Sequence, residues 1–355
     1  MADIDKIRKF FSFKRIILPI IFGGVVAIWL INNTFNSEII NNIVWSWKTI
    51  FWLIIALLLM CVRDLAYIIR IRLLTNKQLT WRRSFITIML WEFASSITPS
   101  VVGGSAIALY ILNKENINMG RATAIVMVTT LLDELFYIIM VPLIFLIVGY
   151  KTVFASGNFF IGRYSYSSEW LFVIGYIFII ILTCIIIYGI FVNPRSFKYL
   201  LLMIFKLPFL KRWRSNMVKV GDDIITTSAE MKRKSLIFWL KAFLSTFFSW
   251  TARYWVVNSL IMAFIPVADN MLLYAKQLIM WIILLISPTP GSSGIAEFVF
   301  ADFLKEFIAP GLEGVLALLW RLISYYPYII IGLIILPGWL RKIYIAQTKT
   351  HKILQ

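Results

Sequence analysis

The chain has 355 residues, of which 61% are hydrophobic and 15% are charged, and its formal net charge is +18. Globular proteins are about 45–50% apolar, so this chain is unusually apolar. Its mean hydropathy of +0.85 leaves too little polar surface for a soluble basic domain, which excludes nucleic-acid binding. The only histidine, His351, lies in a basic tail, which excludes histidine-dependent triads and histidine-based metal sites. The composition therefore predicts an all-α polytopic membrane protein, built as a single transmembrane domain.

Six stretches are long and apolar enough to cross a bilayer, which takes about 20 residues. They are residues 16–31, 48–69, 121–148, 170–192, 236–264 and 314–340. Two further apolar stretches, residues 81–112 and 271–305, are each interrupted by a break rich in Pro, Gly and Ser. Each half of these stretches is too short to span the membrane alone, so we expect two re-entrant broken helices.

The basic residues predict the orientation. Cations flank residues 81–112 on both sides, so both ends of this segment are expected to face the cytoplasm. If residues 271–305 return on the outer side, 26 of the 35 cations lie inside and four outside. We therefore expect a bacterial-type inner (cytoplasmic) membrane, with both chain ends and the basic loop 193–235 in the cytoplasm. The apolar spacing in this loop also predicts a pair of interfacial helices.

An internal repeat relates the two breaks. An offset of 189 residues aligns the Ile-Thr-Pro-Ser of residues 97–100 with the Ile-Ser-Pro-Thr of residues 286–289. The chain crosses the membrane three times between the copies, so repeat one (about 16–148) and repeat two (about 236–340) are expected in opposite orientations. Inverted repeats with broken helices are typical of transporters, and a half-helix amino terminus attracts anions such as phosphate. The alternative is that the breaks only bend helices for packing.

Charged side chains at membrane depth cost about 2.5–3.5 kcal/mol each and therefore need a partner or a wet cavity. Arg63, Arg253 and Arg321 are expected to bind a phosphodiester through bidentate hydrogen bonds. Asp133 and Glu134 are expected to receive the cationic part of a headgroup, or protons. The alternative is a set of internal ion pairs, for example Asp133 with Arg321.

Glu297 lies three residues after Gly294, where it either joins the binding site or caps the first turn of a helix. The complete set of expected substrate-binding residues is Arg63, Arg253, Arg321, Asp133, Glu134, Glu297, Thr98, Pro99, Gly103, Gly104, Pro288, Thr289, Pro290, Gly291, Ser292, Ser293 and Gly294.

The two breaks resemble the motifs of a known family. Residues 98–104, Thr-Pro-Ser-Val-Val-Gly-Gly, followed by a Leu-Asn-Lys stretch, resemble its first motif. Residues 288–297, Pro-Thr-Pro-Gly-Ser-Ser-Gly-Ile-Ala-Glu, resemble its second, Pro-x-Pro-Gly-Gly-x-Gly-x-x-Glu, with Ser292 in place of a glycine. The family is the transmembrane region of lysylphosphatidylglycerol synthase, the flippase half of the bacterial multiple peptide resistance factor. The resemblance extends from about residue 16 to residue 340.

This resemblance implies translocation of a phosphate-bearing lipid, aminoacylated or glycan-linked, between leaflets through a cavity between the re-entrant segments. The resemblance is to a stand-alone member without the aminoacyl-transferring domain, so we expect a transporter rather than an enzyme, with no catalytic residues, metal or cofactor. The expected partners are anionic, amino-modified or polyprenyl-linked membrane lipids, a second copy of the chain and a separate lipid-modifying enzyme. A membrane transferase that modifies lipid headgroups and a secondary transporter of small solutes are the alternatives.

Overall fold

The computed structural model describes residues 20–21, 25, 28–29, 46–98, 100–154, 158–161, 164–204, 206, 214–285 and 289–353. Most of the predicted span 16–31 lies outside these residues, as do Pro99 and Pro288 of the predicted site. The described chain is almost entirely helical, and its short strands β1 (Asn158–Ile161) and β2 (Tyr164–Ser167) form one antiparallel hairpin. The predicted all-α membrane fold is confirmed.

Thirteen α-helices are numbered here within the described residues. They are α1 (Trp47–Leu74), α2 (Trp81–Ile97), α3 (Ser100–Lys114), α4 (Met119–Val148), α5 (Tyr150–Val153), α6 (Ser168–Ile187), α7 (Pro194–Ile204), α8 (Arg214–Lys232), α9 (Leu236–Phe264), α10 (Asn270–Leu284), α11 (Ile295–Phe303), α12 (Glu313–Ser324) and α13 (Tyr326–Ile353). A π-helical turn, Tyr188–Val192, continues α6, and a 3₁₀ turn, Lys305–Phe307, follows α11.

Four helical segments of the described chain are long and apolar enough to cross a membrane. They are Trp47–Leu74, Met119–Val148, Ser168–Val192 and Glu313–Ile345, and they coincide with four of the six predicted spans. Helix α6 shows the expected lipid-facing surface, because Ile174, Ile177 and Ile181 recur at helical spacing and are about half exposed. Helix α9 has the length of a span, 29 residues, but it also carries Lys241 and Arg253 and does not belong to this apolar set.

The predicted span 314–340 is interrupted. Helix α12 ends at Ser324, Tyr325 leaves the helical region with φ −129° and ψ −58°, and α13 begins at Tyr326. This interruption places the Tyr325 side chain inside the bundle, where it contacts both predicted breaks.

The helix–break–helix pattern expected for residues 81–112 is present as α2 and α3. Gly104 of α3 lies so close to Ser95 of α2 that an added Cβ would collide with the serine side chain, so α3 turns back onto α2. Helix α13 packs on the same pair, with Gly332 against Phe93. The most extensive contact between helices of the described chain joins α1, which carries the buried Arg63 and Arg70, to α9, which carries the partly buried Arg253.

The basic loop 193–235 contains helices α7 and α8, and α8 is attached to the bundle through Glu230. Its carboxylate accepts a hydrogen bond from Asn76 at 2.5 Å and lies 3.3 Å from Arg121 and 3.4 Å from Lys234. Partial burial raises the pKa of Glu230, but the Asn76 amide and the two cations outweigh this effect and hold the pKa below its ordinary value. The contact joins the loops at the ends of α1 and α8 to the first turn of α4.

Candidate functional site

A cavity of about 270 Å³ lies inside the helix bundle, near the lower end of the volumes of small-molecule pockets. Helices α1, α2, α3, α4, α9, α10, α12 and α13 contribute to its wall. Aromatic side chains are frequent in this wall, and three arginines reach it. These arginines are Arg70, Arg253 and Arg321.

The two predicted breaks meet at this cavity. The backbone N–H of Gly291 donates to the carbonyl oxygen of Thr98 at 3.2 Å. The Tyr325 hydroxyl donates to the carbonyl oxygen of Ser96 at 2.8 Å and accepts from Ser293 Oγ at 3.1 Å. Gly291 has φ +56°, and an added Cβ would lie 2.6 Å from the Tyr325 ring and 2.7 Å from the Ser96 oxygen, so the contact requires glycine. Segments almost 200 residues apart in sequence thus form one side of the cavity.

Arg321 holds the second break in place. Its Nη1 and Nη2 donate to the carbonyl oxygens of Gly291 and Ser292 at 3.4 and 3.3 Å, and its Nε lies 2.9 Å from Glu297 Oε1. Glu297 Oε2 also accepts the backbone N–H of Gly294 at 2.6 Å. Glu297 therefore caps the first turn of α11, one of its two expected roles, and pairs with Arg321 at the same time.

Asp133 is surrounded by donors. Arg70 Nη1 and Nη2 lie 2.5 and 3.2 Å from its two carboxylate oxygens, and Trp250 Nε1 donates at 2.8 Å. Arg70 Nη1 also donates to the Thr246 hydroxyl at 2.9 Å. This bidentate pair joins α1, α4 and α9 beside the cavity, with the Asp133 charge compensated.

The ion pair named as an example of the alternative, Asp133 with Arg321, does not form: Asp133 pairs with Arg70, and Arg321 pairs with Glu297. The predicted span 48–69 ends just before Arg70 and leaves it among the loop cations, but α1 continues to Leu74 and keeps Arg70 only 4% exposed. A signal was available, because Arg63 and Arg70 are seven residues apart and therefore lie on the same face of a helix.

Arg63 is fully buried in a charge cluster next to the cavity. It lies 2.7 Å from a carboxylate oxygen of Asp64 and 2.7 Å from one of Glu92. The rings of Tyr67 and Tyr328 flank its guanidinium, with centroids 4.6 and 4.9 Å away, and the Tyr328 hydroxyl donates to Asp64 at 2.8 Å. The contacts of Arg63 are those expected if the buried charges form internal ion pairs. Arg63 does not belong to the cavity wall.

Arg253 differs from the buried arginines Arg63, Arg70 and Arg321, because it is only partly buried. Its guanidinium carbon lies 4.2 Å from the ring centroid of Trp281 and 5.3 Å from that of Trp250. No carboxylate of the described chain lies within salt-bridge distance of it, and its buried Nε has no hydrogen-bond partner there. The charge of Arg253 is therefore open to the cavity, with tryptophan rings as its neighbours.

Glu134, like Arg253, lines the cavity without an oppositely charged partner in the described chain. It lies at the middle of α4, is 9% exposed and lines the cavity. Thr183 of α6 donates its hydroxyl to Glu134 Oε2 at 2.9 Å. Within the part of the chain that the structure describes, no cation forms a salt bridge with it.

The remaining predicted residues are distributed around the two breaks. Those in the cavity wall are Thr98, Gly291 and Ser292. Those described beside it but not in its wall are Gly104, Thr289, Pro290, Ser293, Gly294 and Glu297, and Gly103 lies in the first turn of α3. The wall residues that the sequence reasoning missed include Arg70, Trp250, Trp281 and Tyr325. The described residues contain no group of three or more His, Cys, Asp or Glu side chains that could hold a metal ion.

Comparison with known proteins identifies the family. The family model described as "Lysylphosphatidylglycerol synthase TM region" matches residues 16–332. The chain belongs to this family. A member of the lysylphosphatidylglycerol synthase transmembrane region family is a multi-pass integral membrane protein, in agreement with the helices described above. The chain is also similar to the "UPF0104 membrane protein" of Archaeoglobus fulgidus, with 28% identity over 296 residues, 79% of this chain and 84% of the relative.

Proposed function

We propose that this protein translocates a lipid with a phosphate-bearing headgroup between the two leaflets of its membrane. The headgroup enters the cavity while the acyl chains remain in the surrounding lipid. The observation that carries the proposal is Arg253, a cation that faces the cavity without a carboxylate partner in the described chain. Membership of the lysylphosphatidylglycerol synthase transmembrane region family supports the same function.

The chemistry of Arg253 suits a phosphate. Arg253 is partly buried, and a charge without a counter-charge in such a position is unfavourable, so an anionic ligand that enters the cavity compensates it. The flat guanidinium stacks on Trp281, and stacking leaves its N–H edge available for bidentate hydrogen bonds to two phosphate oxygens. Aminoacylated and glycan-linked lipids both carry such a phosphate, so the arginine recognises the feature that they share.

The proposed topology follows the charge distribution and the contact between the breaks. We infer that residues 81–112 and 271–305 are re-entrant segments of an inverted repeat that enter from opposite sides of the membrane. The hydrogen bond between Gly291 and Thr98 supports this arrangement, since it places the two breaks at the same depth. The excess of cations in the loops favours cytoplasmic chain ends in an inner (cytoplasmic) membrane.

A reconstituted transport assay tests the proposal. The purified protein is incorporated into liposomes that contain a trace of headgroup-labelled phosphatidylglycerol, and an impermeant quencher reports the label that reaches the outer leaflet. Hydrogen bonds to a charged group contribute about 1.5–3 kcal/mol, so Arg253→Gln should slow transport by roughly 10- to 150-fold.

Lys241→Gln is the matched control, because Lys241 lies on the same helix, is exposed and makes no salt bridge within the described chain. It should retain the wild-type rate. Wild-type protein that moves no labelled lipid, or that converts it chemically, contradicts the proposal, and so do equal rates for the two variants.

A further inference from the structure

Asp133 and Glu134 are adjacent in α4 and lie at the same membrane depth, yet they differ in their partners. Asp133 receives two nitrogens of Arg70 and the indole N–H of Trp250. Glu134 receives one neutral donor, the hydroxyl of Thr183. The structure therefore places a full counter-charge beside Asp133, and no cation of the described chain forms a salt bridge with Glu134.

No cation of α1, α3, α5, α6, α8, α9 or α10 forms a salt bridge with Glu134 in the described chain. Five charged groups of these helices have other partners: Arg70 of α1 with Asp133, Lys114 of α3 over Tyr110, Glu169 of α6 with Tyr150, Glu230 of α8 with Arg121, and Lys276 of α10 with Glu306. Arg253 of α9 lines the same cavity as Glu134, and its guanidinium lies over Trp281. Asp133, the neighbour of Glu134, carries a negative charge, which opposes a second negative charge beside it.

An ionised carboxylate in this position is unfavourable when the cavity is closed to water. Burial of an isolated charge at low dielectric is costly, and such a group becomes neutral instead. A carboxylate in contact with bulk water is ionised at neutral pH. Because Glu134 lines the cavity, its preferred protonation state depends on whether the cavity is hydrated from one side of the membrane, from the other, or from neither.

We propose that Glu134 is the binding site of a coupling proton. A proton from water on one side forms an O–H bond with the Glu134 carboxylate. The neutral acid remains in the closed cavity, and the O–H bond breaks when the cavity opens to water on the other side, where the proton leaves. The proton site stands on the geometry of Glu134 alone, whereas the statement that its proton drives lipid movement rests on the proposed function.

The proton site is tested by infrared spectroscopy, without any lipid substrate. Wild-type protein in liposomes should show the carbonyl band of a protonated carboxylic acid whose intensity changes with pH. Glu134→Gln should lack this band, and Glu169→Gln, which removes an exposed carboxylate of α6, should retain it. A band that persists in Glu134→Gln, or that is absent from wild-type protein at every pH, overturns the proposal.

The coupling is tested by the ratio of lipid transport rates with and without an imposed pH gradient. This ratio should differ from one in wild-type protein and in Lys241→Gln, and should equal one in Glu134→Gln. A wild-type ratio of one overturns the coupling and leaves the proposed lipid transport intact. Absence of lipid movement under every condition overturns the proposed function, and the infrared result then still decides the proton site.

Discussion

Replacement of Asp133 by Asn isolates the energy of the buried ion pair between α1 and α4. The substitution removes the anion and leaves the Arg70 guanidinium, whose side chain is 5% exposed, without a counter-charge. Loss of one partner from a buried pair costs about 3–5 kcal/mol, and loss of an exposed pair costs about 0–1 kcal/mol. The Asp133 side chain is 23% exposed, so we expect a loss near the lower end of the buried range, about 3 kcal/mol.

The assay is thermal or denaturant-induced unfolding of the purified protein in detergent. Asp302→Asn is the control, because it makes the same chemical change in a pair whose lysine, Lys305, is 51% exposed. Its expected cost is below about 0.5 kcal/mol. Adding Arg70→Met to Asp133→Asn should recover most of the stability, because the unpaired charge is then removed. Equal effects of the two Asp→Asn changes, or additive effects in the double variant, would refute the ion pair.

Three further predictions concern the breaks and the attachment of α8. Tyr325→Phe removes the hydroxyl that joins the two breaks, so hydrogen exchange at the Gly291 amide should accelerate, whereas Tyr326→Phe, which changes a ring outside this contact, should leave it unchanged. Gly291→Ala introduces a Cβ at positive φ against the Tyr325 ring and should lower the unfolding temperature. Gly338→Ala is the control, because Gly338 has open space around it, and it should leave the unfolding temperature unchanged. Equal unfolding temperatures for the two variants would contradict the packing at the break. The pKa of Glu230 is lowered in the folded protein, so the contribution of Glu230 to folding stability is present at neutral pH and is lost as pH falls through the folded pKa. The difference in unfolding temperature between wild type and Glu230→Gln should therefore shrink on acidification. A constant difference would contradict the electrostatic contact.

The sequence predicted the features that depend on local patterns. Proline, glycine and serine interrupt apolar runs at both breaks, and such residues are strong local signals. The structure places breaks at these positions, between α2 and α3 and before α11. The interruption of the last predicted span was missed although a signal existed. Pro327 follows Tyr325 by two residues and fits the first turn of α13, where proline is favoured.

The pairing of charges could not be predicted from local patterns. Asp133 and Arg70 are 63 residues apart, and Arg321 and Glu297 are 24 apart. The choice between partners depends on how α1, α4 and α12 pack, which helical periodicity alone does not determine. Arg253 illustrates the same limit, since only the packed structure shows that no carboxylate of the described chain lies within salt-bridge distance of it.

The central claim is that Arg253 binds the phosphate of a lipid headgroup inside the cavity. Mass spectrometry of lipids that remain bound to the purified protein tests it most directly. Wild-type protein and Lys241→Gln should retain a phosphate-bearing lipid, and Arg253→Gln should lose most of it while remaining folded. An unchanged amount of the same lipid on Arg253→Gln, or bound lipids without phosphate on wild-type protein, would contradict the claim.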